Sequence, residues 1–177
     1  MKSQLIAREV TWVGRKISEH GVTFDDSLIE GLQNLSPPTN AQELQQFVCG
    51  VNWMRCSIPN FAEEIAPLQD VIRTCQQQLN SSKGSRLRKI PLEWTPDLNS
   101  CFLRIKELLK NIVRLAHPNS HKDLCLYTDA SDFYWGVTLT QVETWDLKKS
   151  VSDQSHEPLA FLSGQFTGKW FMTLIKH

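Results

Sequence analysis

The sequence of 177 residues has no long hydrophobic run. Its first ten residues carry Lys2 and Arg8 and offer only a short apolar step at Leu5 and Ile6, far less than the core of a signal peptide. Nothing elsewhere approaches the roughly 18 apolar residues of a membrane-spanning helix. The sequence therefore predicts no membrane partner and an intracellular protein, cytoplasmic or nuclear, that is not secreted.

An excess of charge of one sign is also missing. Lys and Arg number 19, Asp and Glu number 19, and the formal net charge is zero. A free-standing domain that wraps nucleic acid by neutralising phosphates usually has a strong basic excess. Any affinity of this chain for nucleic acid must therefore come from a local patch or from neighbouring domains.

The cysteines and histidines do not form a metal-binding pattern. The five cysteines are odd in number and widely spaced, which is typical of reduced thiols. No CxxC or Cys/His spacing is present, and the five histidines fall at turns or ends instead of pairing at helical spacing. The sequence thus predicts neither a disulfide nor a structural metal.

Helical periodicity dominates residues 25–115, after a predicted hairpin of two strands, Val10–Ser18 and Val22–Phe24. Asp25 or Asp26, Asn40 and Thr95 are predicted helix caps, Asn40 together with Glu43 as a capping box. Pro67 should kink the third helix or fall at its start. Residues 81–89 are small, polar and basic, which predicts a mobile loop.

The pattern changes from Asp123 onward to short apolar or alternating segments. Three strands are predicted, Leu124–Thr128, Trp135–Thr140 and Leu159–Leu162, with a polar loop at 143–157 and a domain boundary near His117. The predicted fold class is α+β, in which a helical segment precedes an incomplete β segment, since three strands bury little apolar area alone.

Three blocks of the sequence resemble the reverse transcriptases of gypsy-like long-terminal-repeat retrotransposons, in the family's order. They are VTWVGRKISEHGVTFDD, LSPPTNAQELQQFVCGVNWMRCSIPNFAEEIAPL, and LCLYTDASDFYWGVTLTQV followed by EPLAFLSGQF. The hairpin block matches the family at Val10, Gly14, Ile17 and Ser18. The helical block matches it at Pro37, Gly50, Arg55, Ile58, Pro59, Phe61, Ala62, Ile65, Pro67 and Leu68.

The resemblance implies an internal fragment of a Pol polyprotein. Residues 1–24 would be the hairpin at the end of the polymerase palm, 25–117 a helical thumb- and connection-like region, and 118–177 a truncated RNase H-like domain with an incomplete mixed β-sheet. The parent enzyme would be an RNA-directed DNA polymerase that also degrades the RNA strand of a hybrid. Its partners would be an RNA–DNA hybrid or primer-template and the remainder of the polyprotein.

The resemblance also assigns one catalytic position. Asp129, in the TDAS motif, corresponds to the first of four acidic ligands that hold two divalent ions, Mg2+ or Mn2+, in the family. Where the family carries its second ligand on a helix, this chain has Trp170, Thr173, Lys176 and His177, and the polymerase aspartates would lie before Met1. We therefore expect the isolated chain to be inactive and to bind no metal tightly.

Simpler interpretations stay open for each of these residues. Without the resemblance, Asp129 and Asp132 are turn formers at a strand end. Trp53 could stack on bases, whereas Trp94, Trp135 and Trp170 are predicted to pack in a core. The residues predicted to contact nucleic acid, against the alternative of a solvated loop, are Arg55, Lys83, Arg86, Arg88 and Lys89.

Two other functions remain compatible with the sequence. The chain could be a non-catalytic module that binds nucleic acid or protein, or a pseudogene remnant with no selected role.

Overall fold

The computed structural model describes residues 7–80 and 82–166. The strands are β1 (Glu9–Trp12), β2 (Arg15–Ser18), β3 (Gly21–Phe24), β4 (Asp123–Ala130), β5 (Tyr134–Val142) and β6 (Glu157–Gln165). The helices are α1 (Asp26–Gln33), α2 (Ala41–Asn52), α3 (Phe61–Leu79), α4 (Gly84–Leu87) and α5 (Pro96–Lys110). No helix among these residues is both long and apolar enough to cross a membrane.

The first sheet is an antiparallel meander in the order β1-β2-β3, so the prediction of only two strands before α1 is wrong. The additional turn lies at Val13 and Gly14, which both have positive φ, 49° and 74°. Two such residues between paired strands give the tight hairpin geometry. A β-branched residue rarely adopts positive φ, and the sequence therefore gave little sign of this turn.

The predicted helix caps are confirmed. The Asn40 side chain accepts a hydrogen bond from the backbone N–H of Glu43 (3.1 Å), and the Glu43 carboxylate accepts one from the N–H of Thr39 (2.8 Å). Asp25 caps α1 and Thr95 caps α5 through the same kind of contact. These bonds satisfy N–H groups that would otherwise lack partners at helix ends. Pro67 lies inside α3 instead of at its start.

The main core lies between α2, α3 and α5. Phe102 of α5 is fully buried and contacts two other rings, Phe47 at 4.7 Å and Trp94 at 5.4 Å between centroids. The indole N–H of Trp94 donates to the carbonyl of Pro38 (2.7 Å), which satisfies the polar end of this packed side chain. The predicted core role of Trp94 is therefore confirmed.

The basic segment 82–89 is more ordered than the predicted mobile loop. Residues 84–87 form the single helical turn α4, and Leu87 is fully buried with Ala41 and Cys75. One apolar side chain among charged neighbours thus fixes this segment on α2 and α3. The prediction of a mobile loop overlooked Leu87.

The second sheet has the order β4-β5-β6, and its described strands pair antiparallel throughout. One face packs on α3, where the N–H of Ala62 donates to Ser163 Oγ of β6 (2.8 Å) and Phe161 is buried. The helices and two sheets together confirm the α+β class. The opposite face leaves Leu124 and Leu126 about two-thirds exposed, at 67% and 64%.

The segment between α5 and β4 is bonded to both sheets. Val22 of β3 and Leu115 exchange two backbone hydrogen bonds, at 2.8 and 2.9 Å. The next two residues continue this pattern, since Ala116 N–H donates to Pro158 O (2.7 Å) and His117 Nε2 donates to Ser18 O (2.7 Å). Hydrogen bonds therefore attach the predicted boundary region to both sheets.

The loop between β5 and β6 is anchored by a buried carboxylate. Asp146 pairs with Lys149 (2.6 Å) and accepts a hydrogen bond from the N–H of Ser155 (2.6 Å). The bond from Lys149 and then that from Ser155 lower the pKa of Asp146 below its usual value of 3.8. A carboxylate whose pKa is lowered by folding contributes stability above its unfolded pKa, and this contribution is lost as the pH falls through the folded pKa.

We expect Asp146→Asn to lower the urea midpoint at about pH 6 and to lower it progressively less below about pH 4. Below this pH the wild-type carboxylate becomes protonated, and it loses the ion pair with Lys149 that the variant also lacks. Urea denaturation followed by circular dichroism at both pH values measures this. Asp132→Asn, at an exposed turn, is the control; a deficit of Asp146→Asn that stays constant with pH would contradict the prediction.

Candidate functional site

Asp129 lies at the carboxyl end of β4, opposite Gly136 of β5. Its side chain is exposed, and Oδ1 accepts a hydrogen bond from the N–H of Ala130 (2.9 Å). The carboxylate borders a small hollow between the second sheet and the start of α3. Asn60, Glu63 and Ser163 line the same hollow.

The donor groups around Asp129 do not fit a paired-metal site. Among residues 7–80 and 82–166, no group of three or more Asp, Glu, His or Cys side chains is arranged to hold a metal ion. Glu63 is the second carboxylate of the hollow, and it comes from α3 instead of the RNase H-like part of the chain. Two metal ions that act on one phosphodiester need several converging carboxylates. Trp170, Thr173, Lys176 and His177 lie outside the described residues.

The basic residues predicted to contact nucleic acid lie in two separate places. Lys83, Arg86, Arg88 and Lys89 are all exposed around α4, which packs beside α2 and α3. Arg55 begins a 3₁₀ turn, Arg55–Ser57, that follows α2. The structure therefore does not bring these five cations into a single patch.

A groove between α3 and β6, which we call the α3–β6 groove, was missed by sequence reasoning. Its floor consists of buried apolar side chains, and its rim carries polar ones. Ala62, Ala66, Gln69 and Arg73 recur at helical spacing along α3 and line it, together with Arg55 from the 3₁₀ turn. The two small residues in this stripe were the available signal, because they leave space beside the helix where larger side chains would fill it.

The tryptophans divide between core and surface. Trp53 is 45% exposed, and the Arg15 guanidinium lies 5.3 Å from its ring centroid. One face of the Trp53 ring thus already contacts a cation, in a cation–π contact. The core prediction for Trp135 is wrong, since this side chain lies partly exposed on the second sheet, over Gly164. Trp170 lies outside the described residues.

Comparison with known sequences finds a family that is similar to the segment carrying Asp129. Residues 94–169 match the family described as the RNase H-like domain found in reverse transcriptase. This segment of the chain is therefore similar to that RNase H-like domain. The match begins at Trp94 and so includes α5 as well as the second sheet.

Relatives extend this similarity to most of the chain. The Pol polyprotein from transposon 412 of Drosophila melanogaster is 29% identical over 94% of this chain, and the Tf2-3 polyprotein of Schizosaccharomyces pombe is 26% identical over 94%. The predicted kinship with gypsy-like retrotransposon Pol polyproteins is confirmed. The chain spans 12% and 11% of the length of these two relatives.

Solved structures show the same fold. The foamy viral protease-reverse transcriptase in complex with an RNA/DNA hybrid aligns over 96% of this chain and 20% of its own, with a TM-score of 0.71 and 23% identity. A second structure of that protein, in complex with dsDNA, aligns over 94% of this chain and 30% of its own, with a TM-score of 0.69 and 23% identity. The helices and the RNase H-like sheet therefore have the arrangement found in a reverse transcriptase.

Proposed function

We propose that this chain serves as a segment of a retrotransposon reverse transcriptase. Residues 1–24 would supply the end of the palm, 25–117 the thumb- and connection-like helices, and 118–177 the beginning of the RNase H-like part. The parent activity is RNA-directed DNA synthesis with hydrolysis of the RNA strand of the hybrid. The main supporting observation is that Asp129 lies at the carboxyl end of β4, within the segment that matches the RNase H-like family.

The proposed ligand is an RNA–DNA hybrid or a primer-template, and the proposed protein partner is the remainder of the Pol polyprotein. The similar foamy viral structures were solved with an RNA/DNA hybrid and with dsDNA, which supports a nucleic-acid ligand. The net charge of zero means that such binding depends on local clusters of cations.

The isolated chain is expected to bind hybrid without cleaving it. Asp129 and Glu63 are the two carboxylates among the described residues of the hollow, and two metal ions acting on one phosphodiester need several converging carboxylates. The residues that the structure describes therefore do not form a complete site for hydrolysis. Asp129 is proposed as a metal-ligand position of the parent enzyme whose partner ligands come from elsewhere.

A labelled RNA–DNA hybrid incubated with the chain and either Mg2+ or Mn2+ tests this proposal. We expect no cleavage above the background of the Asp129→Asn variant, together with salt-dependent binding of the hybrid by both proteins. Asp132→Asn, which alters a neighbouring turn residue, is the matched control. Cleavage by the wild-type chain that is lost in Asp129→Asn and kept in Asp132→Asn would show that the chain is a complete nuclease.

The cations around α4 favour a second candidate, a non-catalytic module that binds nucleic acid. The buried Leu87 holds this segment in place, so Arg86 and Arg88 are presented on a fixed turn instead of a free loop. Charge on a fixed turn loses less entropy on binding than charge on a mobile one.

Neutralising Arg86 and Arg88 to glutamine tests the α4 cluster. We expect the slope of log affinity against log salt for a duplex to fall by about 0.9 for each phosphate contact removed. Fluorescence anisotropy with a labelled primer-template measures the slope. Lys110→Gln with Lys148→Gln, two exposed lysines on other elements, is the control, and equal losses in both double variants would exclude a specific role for α4.

A further inference from the structure

We propose that the α3–β6 groove is a binding site for the phosphate backbone of a nucleic-acid strand, beside the hollow that holds Asp129. This inference rests on the proposed function, since it names where one part of the same ligand would lie. Arg55 is already among the residues predicted to contact nucleic acid, whereas Arg73 and the amide side chains of the groove are not.

The groove has the chemistry of a phosphate site. Arg55 and Arg73 lie along its rim, and the amide side chains of Asn52, Gln69 and Gln165 add further hydrogen-bond donors. Guanidinium groups donate two parallel hydrogen bonds to phosphate oxygens, and amides contact the same backbone. The one carboxylate of the groove is Asp70, which leaves a net charge of about +1 on its lining.

The two arginines differ in how they are held. Arg73 pairs with Asp70 across one helical turn, with 2.9 Å between Nη1 and Oδ1. Within residues 7–80 and 82–166, Arg55 forms no ion pair with any carboxylate. Arg55 therefore offers an uncompensated charge, whereas Arg73 must share its charge with Asp70.

The shape of the groove suits an extended strand. Ala62 and Ala66 leave a channel along α3, and the stripe from Ala62 to Arg73 covers eleven residues of helix rise, or roughly 16 Å. Buried Phe61, Ile65 and Phe161 form a rigid floor beneath it. Because the hydrogen bond from Ala62 to Ser163 joins α3 to β6 at one end, the groove has two fixed walls.

The groove leads toward Asp129. Ser163 lines both the groove and the hollow of Asp129 and Glu63. The two carboxylates of the hollow repel phosphate, while Arg55 and Arg73 of the groove attract it, so the phosphate backbone is held in the groove. A strand seated there would pass beside the RNase H-like sheet instead of across the α4 cluster.

Binding measurements on single variants of the full chain test this site. We expect Arg55→Gln and Arg73→Gln each to weaken binding of a labelled RNA–DNA hybrid about fivefold to tenfold at moderate salt, and to reduce the salt slope by about 0.9. Asp70→Asn should strengthen binding, because it removes the one carboxylate of the groove and releases Arg73. A gain of affinity is a result that loss of structure does not produce.

Arg104→Gln is the matched control. Arg104 lies on α5 and pairs with Glu64 at 3.1 Å, so this variant loses the same charge from an ion-paired helical arginine outside the groove. Urea denaturation of every variant confirms that it is folded. Equal effects in the Arg55, Arg73 and Arg104 variants, with hybrid still bound, would overturn the groove site and leave the proposed function standing. If the wild-type chain binds neither the hybrid nor a single strand, both proposals fail.

Discussion

Phe102→Ala is expected to lower the free energy of unfolding by about 3–5 kcal/mol, a large part of the stability of an ordinary domain. Phe102 is fully buried between the rings of Phe47, on α2, and Trp94, in the segment before α5. Its removal leaves a cavity at the centre of the main core. Since these helices are held mainly by that core, the loss should appear as one cooperative transition at much lower urea.

Urea denaturation followed by circular dichroism and by tryptophan fluorescence measures the effect. Leu103→Ala is the control, because Leu103 is the next residue of α5 and is 54% exposed. It should change stability by less than about 0.5 kcal/mol. Equal stability of the two variants would contradict the packing of α5 against α2 and Trp94 described above.

The second large effect is expected at Gly21, which joins the first sheet to the segment before β4. Its φ is +120°, and a Cβ at this position would lie 2.3 Å from the carbonyl oxygen of Leu115. Gly21→Ala must therefore strain the backbone and separate it from Leu115, breaking the paired hydrogen bonds of Val22. We expect a loss of about 2–5 kcal/mol from strain and lost bonds together.

Amide hydrogen exchange at Val22 and Leu115 tests whether the damage is local to this contact. Gly31→Ala is the matched control, because a Cβ on Gly31 meets nothing within 4 Å and the residue lies in α1. That substitution should instead stabilise the protein, by about 0.4–1 kcal/mol, since alanine favours helix and restricts the unfolded chain. If Gly21→Ala lowers the free energy of unfolding and Gly31→Ala raises it, the backbone conformations described at both glycines are supported.

Local rules predicted the parts of the fold that local bonds determine. The capping groups Asn40 and Thr95 could be found because a cap and its helix are adjacent in sequence. The turn at Val13 and Gly14 could not, because valine gives no sign of positive φ. Leu87 was overlooked for a related reason, since its burial depends on Ala41 and Cys75, which are distant in sequence.

The candidate site, too, could be predicted from the sequence only where it depends on neighbouring residues. Asp129 was found through a motif that is contiguous in sequence, and its place at the end of a strand was correct. Glu63 and the α3–β6 groove arise only when α3 packs on β6, a contact between residues about a hundred positions apart, as in the bond from Ala62 to Ser163. No periodicity within α3 reveals which strand will cover its stripe of small residues.

The bonded segment before β4 limits how the chain can bend. Leu115 and His117 are attached to the first sheet, while Ala116 between them is attached to β6. A hinge needs a few residues whose dihedral angles can change without breaking other bonds, and these three residues do not meet that requirement. A tilt imposed on the N-terminal meander would consequently be passed on as a rotation of the second sheet, so that the two sheets move together.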